Sequence, residues 1–213
     1  MATVMFVDIR GFTSMSESTP PDEVLQMLNE YFEIVVAVVF RYEGTVDKFM
    51  GDGIMVIWGA PIAHGDDPAR AVRAALAIQA ELVQFNRHRQ AENKPAIKIG
   101  IGINTGQLVA GYIGSSQTMS YSVIGDTVNT ASRLCAAAKT GQVIISENSR
   151  DCVKEHFELV EIEAVQAKGK FNPIRAYTVE RELTTDSAIT AGPKDPPSRL
   201  SPFSVTAPAI KRV

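Results

Sequence analysis

Two β-rich runs, residues 45–49 and 54–58, meet at Gly51-Asp52-Gly53. Glycines flanking an aspartate suit a tight turn, so the pattern predicts a β-hairpin. That hairpin constrains the rest of the chain. Strand-like and helical segments alternate around it irregularly, and hairpins do not belong in a doubly wound parallel sheet. The expected fold class is α+β, a mixed β-sheet with flanking helices.

The other elements follow from hydrophobic period. Residues 4–8 read as a short buried strand. Pro20-Pro21 opens a helix, with Asp22 and Glu23 in the first turn, where the helix dipole favours acids. Leu25, Leu28, Phe32, Val35 and Val39 step along one face of it, and Gly44 ends it. A second helix starts at Pro68, turns Ala71, Ala74, Ala75, Ile78, Leu82 and Phe85 inward, and stops before Pro95. Residues 97–103 and 107–113 read as one long or bent strand pair, with a further strand at 119–124. A third helix follows over 127–138. Residues 142–145 read as a strand, 147–153 as a short helix, and 157–162 and 174–179 as closing strands. The domain expected is 1–183. Beyond it, Pro193, Pro196, Pro197, Pro202 and Pro208 among serine and alanine predict a flexible tail over 184–213.

A chain of 213 residues with 45% hydrophobic content can bury a full core. Its net charge of −3 offers no footprint for nucleic acid and no polybasic patch for an anionic membrane. Arg87-His88-Arg89 reads as a solvated helix end. The longest apolar run, 34–40, is too short to span a bilayer. No signal-peptide pattern opens the chain. Cys135 and Cys152 match no metal spacing and predict buried, reduced thiols, hence a cytoplasmic location. The chain opens almost directly on a core strand, which predicts a regulatory part upstream.

The candidate chemistry lies in three distant segments. Asp8, in Val7-Asp8-Ile9-Arg10-Gly11-Phe12-Thr13, and Asp52 each sit where an apolar strand runs out into a glycine-containing turn. Alone, either is an ordinary turn residue. On adjacent central strands they would bring two carboxylates to one edge, a donor set that suits Mg²⁺ with substrate phosphates. Lys48 lies four residues before Asp52, which in a strand places both on one face. Asn129 and Arg133, four apart, share a face of the third helix. An arginine bordering an apolar face requires an anion, a structural salt bridge being the plain alternative. Asp126 reads as that helix's N-cap. Lys168-Gly169-Lys170 offers two cations for phosphate, against the plain reading of a solvated hairpin tip. The glycines 100, 102, 106, 111 and 114 match neither the dinucleotide nor the Walker pattern and read as close backbone approach. His64, His88 and His156 are scattered and form no ligand set.

Together, Phe-Val-Asp-Ile-Arg-Gly-Phe-Thr, Asp-Lys-Phe-Met-Gly-Asp-Gly and Gly-Asp-Thr-Val-Asn-Thr-Ala-Ser-Arg resemble the catalytic domain of class III nucleotidyl cyclases, the adenylate and guanylate cyclase family. The likeness runs from about Thr3 to Val179. It implies a ferredoxin-like, palm-type sheet and sites at a homodimer interface. It implies that Asp8 and Asp52, helped by the Ile9 carbonyl, bind two Mg²⁺ or Mn²⁺ ions. Lys48 and Ser122 would read the purine, Asn129 would orient the ribose and Arg133 would stabilise charge at the α-phosphorus. Lys168 would hold the terminal phosphates. The metal aspartates would come from one subunit and the other residues from its partner.

The chain resembles most closely a bacterial adenylate cyclase subset with serine or threonine in the purine pocket. Many ATP-using relatives carry aspartate where Ser122 stands, and guanylate cyclases tend to carry glutamate and cysteine at these two places. Lys48 with Ser122 therefore implies ATP as substrate and cyclic AMP as product. Bicarbonate regulation is associated with that subset. The loop Ser115-Ser116-Gln117-Thr118 lacks a basic residue that relatives often have. A guanylate cyclase and a non-catalytic regulatory dimerisation module are the alternatives. A diguanylate cyclase is disfavoured, because the hairpin lacks the Gly-Gly-Asp/Glu-Glu-Phe signature.

Overall fold

The computed structural model describes residues 1–166 and 173–183. The expectations for Lys168-Gly169-Lys170 and for 184–213 lie outside the described residues. Nine strands and five helices occur among the described residues, in an α+β arrangement. Seven strands form one mixed sheet in the order β2-β3-β1-β4-β7-β9-β8. These are β1 (Ala2–Ile9), β2 (Thr45–Met50), β3 (Gly53–Trp58), β4 (Ile99–Gly106), β7 (Val143–Ser146), β8 (Phe157–Val165) and β9 (Ile174–Glu182). Only β4 and β7 run parallel; every other neighbouring pair is antiparallel.

Strand β1 lies near the middle and is buried on both faces. Successive side chains of a strand point to opposite sides. Met5, Val7 and Ile9 accordingly join the larger core, beneath α2 (Pro21–Arg41) and α3 (Asp67–Ala91). Ala2, Val4 and Phe6 join Met55, Ile57, Ala131 and Cys135 on the other side, under α4 (Asp126–Ala137). A strand covered on both faces reads as a continuous apolar run, which is why Val4-Met5-Phe6-Val7 carries no alternation.

Helix α4 can lie this close because of Gly102 on β4. A Cβ there would stand 2.0 Å from the Cys135 backbone nitrogen and 2.6 Å from the Ala131 carbonyl oxygen. Only glycine permits that approach. The close-approach reading of Gly102 therefore has a specific partner.

Several expectations need correction. Residues 97–103 and 107–113 are not one strand pair. β4 stays in the main sheet, whereas β5 (Val109–Ser115) leaves it and pairs with β6 (Thr118–Ile124) as a separate two-stranded ribbon. A short helix, α1 (Phe12–Ser18), follows β1; it has no buried residue, and only Phe12 and Met15 lean on the core. Its polar sequence gave no periodic signal. On α2 the buried stripe is Met27, Tyr31, Val35, Val38 and Val39, while Leu25 is exposed. At about 100° per residue, Leu25 lies roughly 100° off that stripe. Asp126 is the first residue of α4 rather than its cap; Gly125 takes the cap position without a side-chain bond. Arg89 is not solvated. It is buried, its Nε donates to the Pro95 carbonyl at 2.9 Å, and its guanidinium lies over Phe85. Cys135 is buried as expected, but Cys152 is exposed. α5 (Glu147–Val153) lies where the sequence placed it.

Candidate active site

The β2–β3 turn holds Gly51 at φ 65°, a left-handed backbone that glycine adopts without strain. β3 pairs with β1, with Val7 opposite Ile54, so this turn lands beside the C-terminal end of β1. The Ile9 amide donates to Asp52 Oδ2 at 3.2 Å. Asp8, Ile9 and Asp52 are therefore one cluster, as adjacent central strands require. Among the described residues no group of three or more His, Cys, Asp or Glu forms a metal cluster. The donors are two carboxylates with backbone oxygens nearby.

The electrostatics of this pair favour a cation. Burial raises the Asp52 carboxyl above its ordinary range, and the neighbouring charge of Asp8 raises it further. A hard divalent ion would relieve that repulsion, and oxygen donors are what it needs. The chain supplies a partial counter-charge of its own. Arg10 Nη1 donates to Asp8 Oδ2 at 2.7 Å, and Nη2 donates to the Cys135 carbonyl. Arg10 thus ties the acidic strand end to α4. It stands two residues from Asp8, a spacing the sequence displays, and the contact itself depends on how the strand end meets α4.

The cluster has a dry backing. Tyr31, fully buried on α2, has a hydroxyl without a hydrogen-bond partner among the described residues. Burial first, and the neighbouring carboxylates of Asp8 and Asp52 with it, raise that phenol's pKa well above its ordinary value. Burial likewise raises the Cys135 thiol to about 11, so it stays protonated and is no nucleophile.

A second cluster joins the main sheet to the ribbon. Lys48 Nζ donates to Ser122 Oγ at 2.7 Å, and Ser122 Oγ donates to Asp47 Oδ2 at 3.0 Å. Lys48 and Asp47 form an ion pair at 3.2 Å. Both predicted purine-reading residues thus meet, with a third that sequence reasoning missed. Alternation puts neighbours such as Asp47 and Lys48 on opposite faces. A register shift between Val46 and Lys48 cancels that, leaving Asp47 as an extra residue on β2. β2 ends at Met50 and Asp52 lies in the turn beyond it, so even spacing along a strand does not place Asp52 on one face with Lys48.

Asn129 and Arg133 occupy one face of α4, Asn129 exposed and Arg133 half-buried. A cavity of about 220 Å³ beside Asp8 is lined from α4 by Ser132, Cys135 and Ala136. Asn129 and Arg133 are not among its walls; around the helix Asn129 lies roughly 60° from Ser132 and Arg133 roughly 100°. In one chain the cavity beside Asp8 thus stops short of the Asn129–Arg133 pair. Lys168 lies outside the described residues.

The ribbon itself exposes apolar surface. Val109, Tyr112, Met119 and Ile124 are all more than half exposed, at 69%, 76%, 61% and 59%. By the strand register Val109 and Ile124 share one face of the ribbon, and Tyr112 and Met119 the other.

Comparison with known proteins agrees with this geometry. A family model described as the adenylate and guanylate cyclase catalytic domain matches residues 1–181. "Adenylate cyclase 1" of Rhizobium meliloti (strain 1021) is 35% identical over 195 residues, covering 89% of this chain. The chain spans only 29% of that relative's length. The crystal structure of the adenylyl cyclase CyaB from P. aeruginosa superposes with TM-score 0.80 at 33% identity, covering 90% of this chain and 96% of that one. The guanylyl cyclase Cya2 superposes with TM-score 0.80 at 37% identity, covering 84% of this chain and 90% of that one.

Proposed function

This chain belongs to the adenylate and guanylate cyclase catalytic domain family, and from that premise we propose that it is an adenylate cyclase working as a homodimer. The observation that carries the nucleotide choice is the Lys48–Ser122 contact at 2.7 Å. Ser122 accepts from the 6-amino group of adenine, and Lys48 donates to the ring nitrogen N1. Guanine offers a carbonyl and an N–H at those two places, so it meets a mismatch at N1.

The reaction is attack of the ribose 3′-hydroxyl on the α-phosphorus of ATP, releasing pyrophosphate and closing cyclic AMP. Asp8 and Asp52, with the Ile9 carbonyl, hold the divalent cations, two per site, Mg²⁺ or Mn²⁺. When bound, these ions neutralise phosphate charge and polarise the attacking and leaving oxygens. The protein's own share is orientation and fixed charge. Asn129 bonds the ribose oxygen and sets the 3′-hydroxyl in line. Arg133 places a permanent cation against the charge that grows on the α-phosphate. Lys168 holds the terminal phosphates. Arg10 keeps the Asp8 carboxylate aimed when the ions are absent.

Two observations support sites shared between subunits. In one chain the cavity beside Asp8 is walled from α4 by Ser132, Cys135 and Ala136 and by neither Asn129 nor Arg133. The ribbon presents apolar side chains that a second copy would bury. A dimer joins the acidic half of one chain to the purine-reading half of its partner, twice.

A second reading, guanylate cyclase, draws on the likeness to Cya2. Separate incubation with ATP and GTP in Mn²⁺, with product identification, decides between them. Regulation, by an upstream part or by bicarbonate, belongs to the whole protein and to the same proposal. Among the described residues no helix is long and apolar enough to cross a membrane. The proposed location is the cytoplasm, where ATP is available.

A further inference from the structure

Serine is an ambiguous reader of a purine. Its hydroxyl has one proton and two lone pairs, so it can accept from the adenine amino group or donate to the guanine carbonyl. A pocket built from lysine and an unconstrained serine would therefore discriminate weakly at position 6. Something must hold the hydroxyl proton away from the base.

The register shift on β2 supplies that element. Asp47 is turned inward, its side chain only 3% exposed, while Lys48 beside it remains 45% exposed. A carboxylate can only accept hydrogen bonds. At 3.0 Å from Ser122 Oγ, Asp47 Oδ2 takes the one proton the serine owns. The remaining lone pairs of Ser122 are then acceptors, one of them receiving Lys48 Nζ. The same Asp47 oxygen pairs with the Lys48 ammonium, holding it close to the serine. Asp47 touches no base. It works through Ser122 and Lys48.

We propose that Asp47 is a specificity-determining positioning residue, which locks Ser122 as an acceptor and Lys48 as a donor so that the pair reads adenine and rejects guanine. This inference rests on the adenylate cyclase reading. It adds a residue to that reading, and it accounts for selectivity at a serine that carries no charge of its own.

The test is the ratio of kcat/KM for ATP to that for GTP. Asp47→Ala releases the hydroxyl, which can then donate to the guanine carbonyl. The ratio is expected to fall about tenfold, one hydrogen bond's worth of discrimination. Asp47→Asn keeps a carbonyl oxygen in place and should retain most of the ratio. Ser122→Ala should lower the ratio by itself, and adding Asp47→Ala should then lower it little further, because both act through one hydroxyl. Where Asp47→Ala does not fold, the similarly sized Asp47→Leu takes its place. A third readout uses the unaltered protein: purine riboside 5′-triphosphate, which lacks the 6-amino group, should be turned over about tenfold less efficiently than ATP. A merely structural role for Asp47 would depress both nucleotides equally and leave the ratio unchanged; that result overturns the inference, as does equal use of the purine analogue. An unaltered protein that prefers GTP, or uses neither nucleotide, overturns the adenylate reading and this inference together. ATP preference with an unmoved ratio in Asp47→Ala overturns this inference alone.

Discussion

If each site draws its carboxylates from one chain and Asn129 and Arg133 from the other, two dead variants should repair one another. On the proposed reading, Asp8→Ala removes a cation ligand and Asn129→Ala removes the ribose contact. Both should fold. Asp8 is 42% exposed and paired with Arg10, and Asn129 is an exposed residue of α4. Losses at such positions are small in stability terms. In activity the loss is large: removal of one preorganised contact commonly costs on the order of 10²–10³ in rate. Each variant alone should thus form cyclic AMP at about 1% of the normal rate or less. When equal amounts are mixed and subunits exchange, about half the dimers pair unlike chains. One of the two sites in such a dimer combines an intact Asp8 with an intact Asn129, and the other combines both defects. The mixture should regain roughly a quarter of normal activity, far above either parent. Cyclic AMP is measured against time after mixing, with tagged chains reporting heterodimer content. Heterodimers that form without restored activity would refute shared sites. So would an Asp8→Ala protein that keeps full activity.

Two further substitutions probe the supports of the site. Gly102→Ala pushes a methyl group to 2.0 Å from the Cys135 backbone nitrogen, so α4 must shift. A cost of about 3 kcal/mol is expected, a fall of roughly 6–12 °C in Tm by thermal melting; an unchanged Tm would contradict the packing described. Tyr31→Phe removes a buried hydroxyl that has no partner among the described residues. Deleting an unsatisfied group should leave Tm unchanged or raise it by about 1–3 °C, and a clear fall would show that the hydroxyl is bonded in solution.

The parts of this fold that were legible in the sequence are those with strong local signals. The hairpin announced itself by Gly51-Asp52-Gly53, and α3 by its alanine-rich stripe. The acidic pair was legible because two strand ends with glycine turns can converge only if their strands are neighbours, as β1 and β3 are. What was missed depends on non-local geometry. Helix α1 is polar and buries no residue, so no period betrays it. The ribbon β5–β6 carries the β-rich pattern of a sheet strand, but nothing local says that it leaves the main sheet. Asp47 was hidden by the alternation rule itself, which assigns it the face opposite Lys48; only the register shift between Val46 and Lys48 brings the two together. Arg89 was misjudged because a basic triplet usually faces water, whereas this one has a carbonyl and an aromatic ring to meet it.

The central claim is that paired chains close ATP into cyclic AMP at Asp8 and Asp52. Its most direct measurement is product identification with ATP and with GTP in Mn²⁺, over a range of protein concentrations and with a chelator control. The expected result is cyclic AMP formed faster than cyclic GMP, with specific activity rising as chains pair and lost on chelation. Absence of cyclic AMP at every protein concentration, or faster formation of cyclic GMP, would contradict it.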